Sequence, residues 1–141
     1  METFTICSLQ ELEKLALGLK TKMRAGEVYG FRGPRGAGKT TLIQALGRSF
    51  GITVPMASPT FVFRKEYRLP KLDGDIRKII HLDCYRIENG NAEDLGDLME
   101  SEAVTFIEWP ERIGARLPSK ITSIEIEIQK NDQRVIRICQ S

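Results

Sequence analysis

The feature that most constrains the fold of this chain is a glycine-rich run between an apolar segment and an amphipathic one. Residues 33–40 are Gly-Pro-Arg-Gly-Ala-Gly-Lys-Thr, which fits the template of glycine, four residues, glycine, lysine and serine or threonine. Residues 27–31 before it are typical of a buried strand. Residues 41–50 after it carry apolar side chains at helical spacing and end at Gly51. Strand, glycine loop and helix together predict a P-loop that binds a nucleoside triphosphate.

Each residue type in this loop has a chemical role. Gly36 and Gly38 can adopt positive φ and turn successive backbone N–H groups toward phosphate oxygens. Lys39 supplies a point charge for the β and γ phosphates, and Thr40 supplies a hydroxyl to Mg2+. The helix that follows presents free amides and the positive end of its dipole. The nucleotide contacts expected from the loop are Gly33, Arg35, Gly36, Ala37, Gly38, Lys39, Thr40 and Thr41.

Composition limits the chain to one soluble globular domain. Its 141 residues, 41% hydrophobic and 28% charged, are enough for one core and too few for two ordinary ones, so we expect a single domain over residues 1–141. No apolar stretch has the length of a membrane span, and no basic segment precedes an apolar one at the N-terminus. The three cysteines lie far apart. We therefore expect a cytoplasmic protein with reduced thiols and no membrane contact.

The charge distribution gives little reason to expect nucleic acid binding. The formal net charge is only +2, and DNA is not an expected partner. Residues 64–78 are locally basic, with six lysines and arginines against three acids. The favoured interpretation is a solvated, partly self-neutralised surface; a docking face for an acidic protein or an RNA is the alternative.

Periodicity along the chain predicts an α/β fold with a mixed central sheet. Three segments are typical of helices: from the capping box of Ser8 and Glu11 to about Met23, residues 41–50, and the acidic residues 92–100. Strand-like segments are residues 27–31, 61–67, 78–83 and 104–107, followed by the C-terminal hairpin 124–138. We expect residues 61–67 and 78–83 to pair antiparallel across a polar loop at residues 69–75.

Two acids at the ends of strand-like segments are candidates for a metal site. Asp83 and Glu108 each follow a mainly apolar run. Ligands in open α/β sheets bind beyond the carboxyl ends of parallel strands, and a Mg2+ at Thr40 takes one or two carboxylates as well. We therefore predict Thr40, Asp83 and Glu108 as metal ligands, with an exposed acid as the alternative for each carboxylate. Three roles are open for Glu108: binding the metal through water, orienting the attacking water, or accepting its proton.

Four further side chains near these acids need their own interpretation. His81, the only histidine, is more typical of a hydrogen-bonded structural residue than of a catalyst. Trp109 either packs beside the sheet or contacts nucleotide or partner. Arg86 either offsets transition-state charge or forms a surface ion pair. Thr60 is a candidate switch hydroxyl that senses the γ phosphate.

Four short motifs, taken in order, resemble the bacterial TsaE (YjeE) family. They are Gly-Ala-Gly-Lys-Thr-Thr at 36–41, Ser-Pro-Thr-Phe at 58–61, His-Leu-Asp-Cys-Tyr-Arg at 81–86 and Glu-Trp-Pro at 108–110. The resemblance covers most of the chain from the P-loop strand to Pro110, and the N-terminal helix and C-terminal hairpin match in general character. It implies a P-loop NTPase-like, three-layer α/β fold with ATP and Mg2+ as cofactors.

The resemblance also implies a function. The family consists of small ATPases of tRNA threonylcarbamoyladenosine synthesis, whose weak hydrolysis becomes meaningful in a complex with the TsaB and TsaD proteins and supports modification of adenosine 37 in tRNA. The chain then contacts tRNA only indirectly, through that complex. Carried over by motif, Glu108, Lys39 and Thr60 are the implied catalytic residues. Trp109 is implied to lie near the site, and Ser8 beside the adenine.

The loop departs from the family pattern at one point. Pro34 and Arg35 stand where the family commonly has an acidic or amide residue and then leucine. Arg35 adds positive charge at the mouth of the loop, so we expect a changed phosphate affinity or hydrolysis rate. Two other functions are compatible with a P-loop: a small-molecule kinase, and a module that binds nucleotide without useful turnover. A kinase needs an acceptor site and usually an arginine-bearing lid, whereas the segment after the P-loop helix is strand-like.

Overall fold

A computed structural model of the chain describes residues 1–57, 63–87 and 95–140. Over these ranges the α-helices and strands in chain order are β1 (Glu2–Ile6), α1 (Leu9–Lys22), β2 (Val28–Arg32), α2 (Lys39–Ser49), β3 (Arg64–Asp73), β4 (Ile76–Asp83), β5 (Ala103–Glu108), β6 (Thr122–Ile128) and β7 (Arg134–Gln140). Three short 3-10 turns join or follow them: Pro110–Arg112, Gly114–Arg116 and Lys130–Asp132. In the described residues, neither α-helix combines the length and apolar character needed to cross a membrane.

All seven of these strands form one mixed sheet in the order β1-β7-β6-β2-β5-β4-β3. The P-loop strand β2 lies between two parallel neighbours, β5 and β6, and β4 continues the parallel set on the far side of β5. The pairs β3–β4, β6–β7 and β1–β7 are antiparallel. The predicted α/β class, the mixed sheet and the C-terminal hairpin are confirmed, and the parallel set brings the carboxyl ends of β2, β4 and β5 to one edge.

The two helices cover one face of the sheet. Ser8 caps α1, its Oγ accepting a hydrogen bond from the N–H of Glu11 at 3.2 Å, as predicted from the capping box. Leu12, Ala16 and Leu19 are buried at successive turns. They join an apolar cluster with α2 and the sheet, in which each fully buried large side chain contributes about 1.5–3 kcal/mol. A second cluster lies on the opposite face, where the described residues form loops and 3-10 turns rather than α-helices.

The chain continues as a strand where a loop was predicted at residues 69–75. β3 extends to Asp73, and only the next two residues turn the chain. Leu69 is buried in the core, so the chain gains apolar contact by staying on the sheet. Pro70 is tolerated because β3 is an edge strand and its pairing with β4 is irregular after Arg68.

The acidic helix predicted at residues 92–100 is wrong for its described part, which begins at Leu95 and contains no helix. Gly96 has φ +73°, which is outside the helical region. The Arg64 guanidinium donates to the carbonyl oxygens of Leu95 at 2.9 Å and Asp97 at 2.7 Å. The arginine thus takes up carbonyls that a helix would use for its own hydrogen bonds.

The basic segment at residues 64–78 is partly self-neutralised, as the favoured interpretation held. Arg64 and Lys78 both bridge Glu66 and Glu100; Lys78 Nζ lies 2.8 Å from Glu66 and 2.7 Å from Glu100. Lys78 and then Arg64 lower the pKa of Glu66. Glu100 and then Glu66 raise the pKa of Lys78. This charge network fixes β3 to the segment before β5.

Candidate phosphate-binding site

The loop between β2 and α2 has the backbone geometry of a phosphate cradle. Gly36 and Gly38 have φ +78° and +107°, so the predicted positive φ is confirmed at both. A Cβ on Gly33 would lie 2.5 Å from the carbonyl oxygen of Ile126 on β6, whereas a Cβ on Gly36 would meet nothing within 4 Å. Gly33 therefore fits the loop against the sheet, and Gly36 faces open space above it.

Helix α2 begins at this loop with its first amides uncapped. Its N-cap residue, Gly38, has no side chain to cap the N-terminus, and its first turn contains no acidic residue. The first N–H groups of an α-helix have no intrahelical partner, and the positive end of the dipole lies with them. The start of α2 is thus suited to an anion such as phosphate.

Lys39 is the most enclosed cation of the loop. Its side chain is largely buried, with the residue 5% exposed. Its Nζ donates to the carbonyl oxygens of Gly33 at 2.5 Å and Pro34 at 3.1 Å, and lies 3.9 Å from the ring centre of Trp109. Burial lowers the pKa of Lys39, and the nearby Glu108 carboxylate opposes that shift. The ammonium has lost much of its hydration, so an anionic ligand at this position would stabilise its charge.

The structure brings the three predicted metal ligands to one edge of the sheet. β5 pairs with β2 and β4 so that Glu108 lies beside Phe31 on one side and Asp83 on the other. Thr40 Oγ1 donates to Oε1 of Glu108 at 2.8 Å. Asp83 Oδ1 accepts the N–H of Tyr85 at 3.0 Å and its side chain lines the same cleft.

These oxygen ligands fit Mg2+. The described residues contain no cluster of three or more His, Cys, Asp and Glu side chains. Mg2+ does not need one, because it keeps several waters and takes one or two carboxylates with a hydroxyl. Thr40, Asp83 and Glu108 supply that number and type of donor.

Above the loop lies an open cleft of about 460 Å³. Eight of its lining residues were predicted from the sequence as site residues: Arg35, Gly36, Gly38, Lys39, Thr40, Thr41, Asp83 and Glu108. The others are Phe63, Tyr85, Arg86 and Trp109. Thr60, the predicted switch hydroxyl, lies outside the described residues and stays a prediction.

Aromatic rings and cations alternate at the mouth of this cleft. Trp109 has a left-handed backbone, with φ +58°, which costs about 1–2 kcal/mol for a residue with a Cβ. Its ring lies under the Lys39 ammonium and 4.9 Å from the ring centre of Tyr85. Arg35 and Arg112 each place a guanidinium near Tyr85, at 5.0 and 5.4 Å. Trp109 thus packs at the site itself, and the unusual Arg35 lies at its rim.

Comparison with known proteins agrees with this geometry. Residues 6–136 match the family described as Threonylcarbamoyl adenosine biosynthesis protein TsaE. The chain belongs to the TsaE family. Among its relatives, the tRNA threonylcarbamoyladenosine biosynthesis proteins TsaE of Mycobacterium tuberculosis and Aquifex aeolicus are 30% and 35% identical to it. Those alignments cover 94% and 93% of this chain and 83% and 90% of the relatives.

A solved structure supports the fold as well. The crystal structure of Bacillus subtilis YdiB superposes with a TM-score of 0.72 at 27% sequence identity. The match covers 96% of this chain and 82% of YdiB. The P-loop NTPase-like α/β architecture expected from the sequence is therefore confirmed over nearly the whole chain.

A second cavity of about 280 Å³ adjoins the phosphate cleft in this TsaE-family chain and shares Gly38 and Thr41 with it. Ser8, predicted to lie beside the adenine, lines this cavity. Arg134, which was not predicted from the sequence, also lines the cavity. Its Nε donates to the carbonyl oxygen of Ala37 at 2.9 Å. Arg134 belongs to the C-terminal hairpin and carries no motif, so only the fold brings it to the loop.

His81 is buried and hydrogen-bonded, as its preferred interpretation required. It is 0% exposed, and its Nε2 lies 2.7 Å from Oε2 of Glu108. Its Nδ1 has no hydrogen-bond partner within the described ranges. The partner, however, is one of the predicted metal ligands, so the histidine contacts the site directly.

Proposed function

We propose that the chain is a Mg2+-dependent ATPase, folded as one domain over residues 1–141, that supports formation of the threonylcarbamoyl modification on adenosine 37 of tRNA. In this proposal it acts in complex with TsaB and TsaD and hydrolyses ATP only weakly alone. The meeting of Lys39, Thr40 and Glu108 at the uncapped start of α2 carries the proposal. The names of the two relatives supply the pathway.

The phosphate cleft takes the triphosphate. Lys39 and the amides at the start of α2 hold the β and γ phosphates. Thr40, Asp83 and Glu108 hold Mg2+ together with waters. Mg2+ held by these residues would supply positive charge that offsets the negative charge of the phosphates.

The second cavity takes the adenosine. It adjoins the loop at Gly38 and Thr41, so a nucleotide whose phosphates lie on the loop can extend into it. Ile126 and Ile136 give it an apolar wall, and Ser8 and Arg134 add polar groups at its edge. Apolar walls with a few polar groups are typical of cofactor pockets.

Glu108→Gln tests the ATPase proposal directly. The change keeps the side-chain shape but removes the charge beside Thr40. Loss of one general acid or base typically lowers a rate about 10²–10⁴-fold, so we expect the rate of ATP hydrolysis to fall at least about tenfold. Hydrolysis is measured with Mg2+, for the chain alone and with TsaB and TsaD. Glu111→Gln is the matched control, since Glu111 lies just beyond the same strand but does not line the cleft.

Equal hydrolysis by the wild-type chain and Glu108→Gln, alone and with the partners, would contradict the ATPase proposal. Retained binding of a fluorescent ATP analogue in that case would identify a nucleotide-binding module without useful turnover. A small-molecule kinase is disfavoured because the described chain after α2 forms the β3–β4 pair rather than a helical acceptor domain.

The partner proposal needs a separate experiment. The tagged chain is incubated with lysate in the presence of ATP, ADP or a non-hydrolysable analogue, and bound proteins are identified by mass spectrometry. We expect capture of TsaB and TsaD to depend on the nucleotide. Their absence under all three conditions would contradict the proposed complex while leaving the ATPase measurement intact.

A further inference from the structure

A chain of hydrogen bonds leads from the phosphate loop into the core and ends at His81. Thr40 on α2 donates to Oε1 of Glu108 at 2.8 Å, and His81 on β4 lies 2.7 Å from Oε2. Glu108 is 3% exposed and His81 is 0% exposed. Each carboxylate oxygen therefore has its own partner, and the two partners come from different elements of the fold.

The sheet register explains why the histidine reaches this carboxylate. β4 and β5 are parallel, with His81 beside Phe106 and Asp83 beside Glu108. Side chains two residues apart on a strand lie on the same face. Ile79 and Phe106 belong to the cluster under the helices, so His81 lies on that face as well. It precedes Asp83 by two residues along β4 and is therefore farther from the carboxyl edge of the sheet.

We propose that His81 is a positioning residue for Glu108: its Nε2–H holds Oε2 so that Oε1 is presented to Thr40 and to the Mg2+ of the proposed function, on which this inference rests. Carboxylate oxygens accept hydrogen bonds, so the 2.7 Å contact is explained by a hydrogen on Nε2 that points to Oε2. A buried polar atom without a partner is unfavourable. Nδ1 has no hydrogen-bond partner in the described part of the structure, so the contact of Nε2 with Glu108 is the interaction that compensates for burying this imidazole.

The effect of such a contact is on geometry. Without the Nε2 donor, the Glu108 carboxylate loses one of the contacts that restrain rotation about its last side-chain bond, so its two oxygens exchange places near Thr40 more readily. Residues that orient a metal ligand typically contribute about 10–100-fold in metal affinity or activity. We therefore expect loss of the contact to weaken metal binding much more than ATP binding.

Nuclear magnetic resonance of the free chain tests the hydrogen bond without nucleotide or metal. His81 is the only histidine, so 15N-histidine labelling gives the signals of one imidazole. We expect a hydrogen on Nε2, and we expect the Nε2 signal to shift in Glu108→Ala but not in Glu111→Gln. A hydrogen on Nδ1 with none on Nε2, or no response to Glu108→Ala, would overturn the proposal.

Three substitutions then test the positioning. Gln places an amide N–H near the position of Nε2, Asn places one near Nδ1, and Phe fills the volume without a donor. We expect His81→Phe and His81→Asn to weaken Mn2+ binding to the ADP complex about 10–100-fold, measured by electron paramagnetic resonance. His81→Gln should stay within about threefold of wild type, and the KM for ATP should change little in all three.

The control is thermal unfolding of each variant, because a merely structural histidine would change stability without changing metal affinity selectively. Wild-type Mn2+ affinity in His81→Phe, or an equal loss in His81→Gln and His81→Phe when both are folded, would overturn the proposal. If His81→Phe does not fold, the imidazole spectrum of the wild-type chain decides alone. Failure of the wild-type chain to bind ADP or Mn2+ would contradict the proposed function, and the same spectrum would still decide whether His81 holds Glu108.

Discussion

Gly33 and Gly36 look equivalent in the sequence, but the structure predicts different consequences when each is changed to alanine. At Gly33 the new Cβ would lie 2.5 Å from the carbonyl oxygen of Ile126. That oxygen belongs to a strand of the sheet, so it cannot move away as a flexible side chain would. At Gly36 the new Cβ meets nothing within 4 Å.

The expected destabilisation follows from these contacts. Gly33 has φ +148° and Gly36 has φ +78°, so alanine is strained at both. That backbone strain costs about 1–3 kcal/mol for each. Gly33→Ala adds an overpacking term of about 1–3 kcal/mol because the loop or β6 must shift. We expect Gly33→Ala to lower the free energy of unfolding by about 2–6 kcal/mol. That is a large part of the total, which is about 5–15 kcal/mol for a typical domain.

Urea denaturation of the two variants and the wild-type chain, without nucleotide, measures this difference. We expect Gly33→Ala to be less stable than Gly36→Ala by at least about 1 kcal/mol, the lower limit of the overpacking term. Gly36→Ala should instead show weaker binding of a fluorescent ATP analogue, since Gly36 lines the cleft. Equal stability of the two variants, or a less stable Gly36→Ala, would show that the contact at Ile126 does not constrain the loop.

Three further predictions concern the periphery of the site and the fold. Arg134→Ala should weaken ATP binding more than tripolyphosphate binding, by about 1–2 kcal/mol in isothermal titration calorimetry, because the arginine lines the adenosine cavity and holds the loop carbonyl. Arg35→Leu should leave the unfolding free energy within about 0.5 kcal/mol of wild type and reduce the salt dependence of ATP binding, because Arg35 is exposed at the cleft mouth. Glu66→Gln should lower stability by up to about 1 kcal/mol at pH 7, since the side chain is 42% exposed. Lys78 lowers the pKa of Glu66 in the folded chain. The stabilisation is therefore complete above the unfolded carboxyl pKa of about 4.3 and is lost as pH falls through the folded-state pKa. Denaturation curves should show a smaller loss of stability in Glu66→Gln at about pH 3 than at about pH 7.

The geometry of the candidate phosphate site could be predicted from sequence because its determinants are local. The P-loop joins a strand to a helix directly, and the residue types that hold phosphate lie within eight consecutive positions. Asp83 and Glu108 are distant in the chain, but each ends an apolar strand, and parallel pairing aligns such ends. The rule that ligands lie beyond the carboxyl ends of parallel strands was therefore enough to predict that both carboxylates lie near the loop.

The remaining parts depend on contacts between distant segments. The strand at residues 69–73 is kept on the sheet by burial of Leu69, and the segment from Leu95 is kept out of a helix by Arg64, 31 positions before it. Neither contact has a local signal. β1 is different, because its sequence does contain a local signal. Thr3 to Ile6 alternate polar and apolar residues, a pattern typical of a strand, but no strand was predicted there.

The groups proposed to bind Mg2+-ATP also make hydrogen bonds within the chain. Lys39 donates to the carbonyls of Gly33 and Pro34, and the Thr40 hydroxyl donates to Glu108. Nucleotide and metal must replace these contacts, so the observed affinity is the difference between two sets of interactions and is smaller than the new contacts alone would give. A partner that draws Lys39 or Thr40 away from these internal contacts would raise nucleotide affinity without touching the nucleotide, because it removes the competing set. The His81 contact is on the opposite oxygen of Glu108. In the positioning role proposed above, it can therefore orient the carboxylate while the partners of the other oxygen exchange.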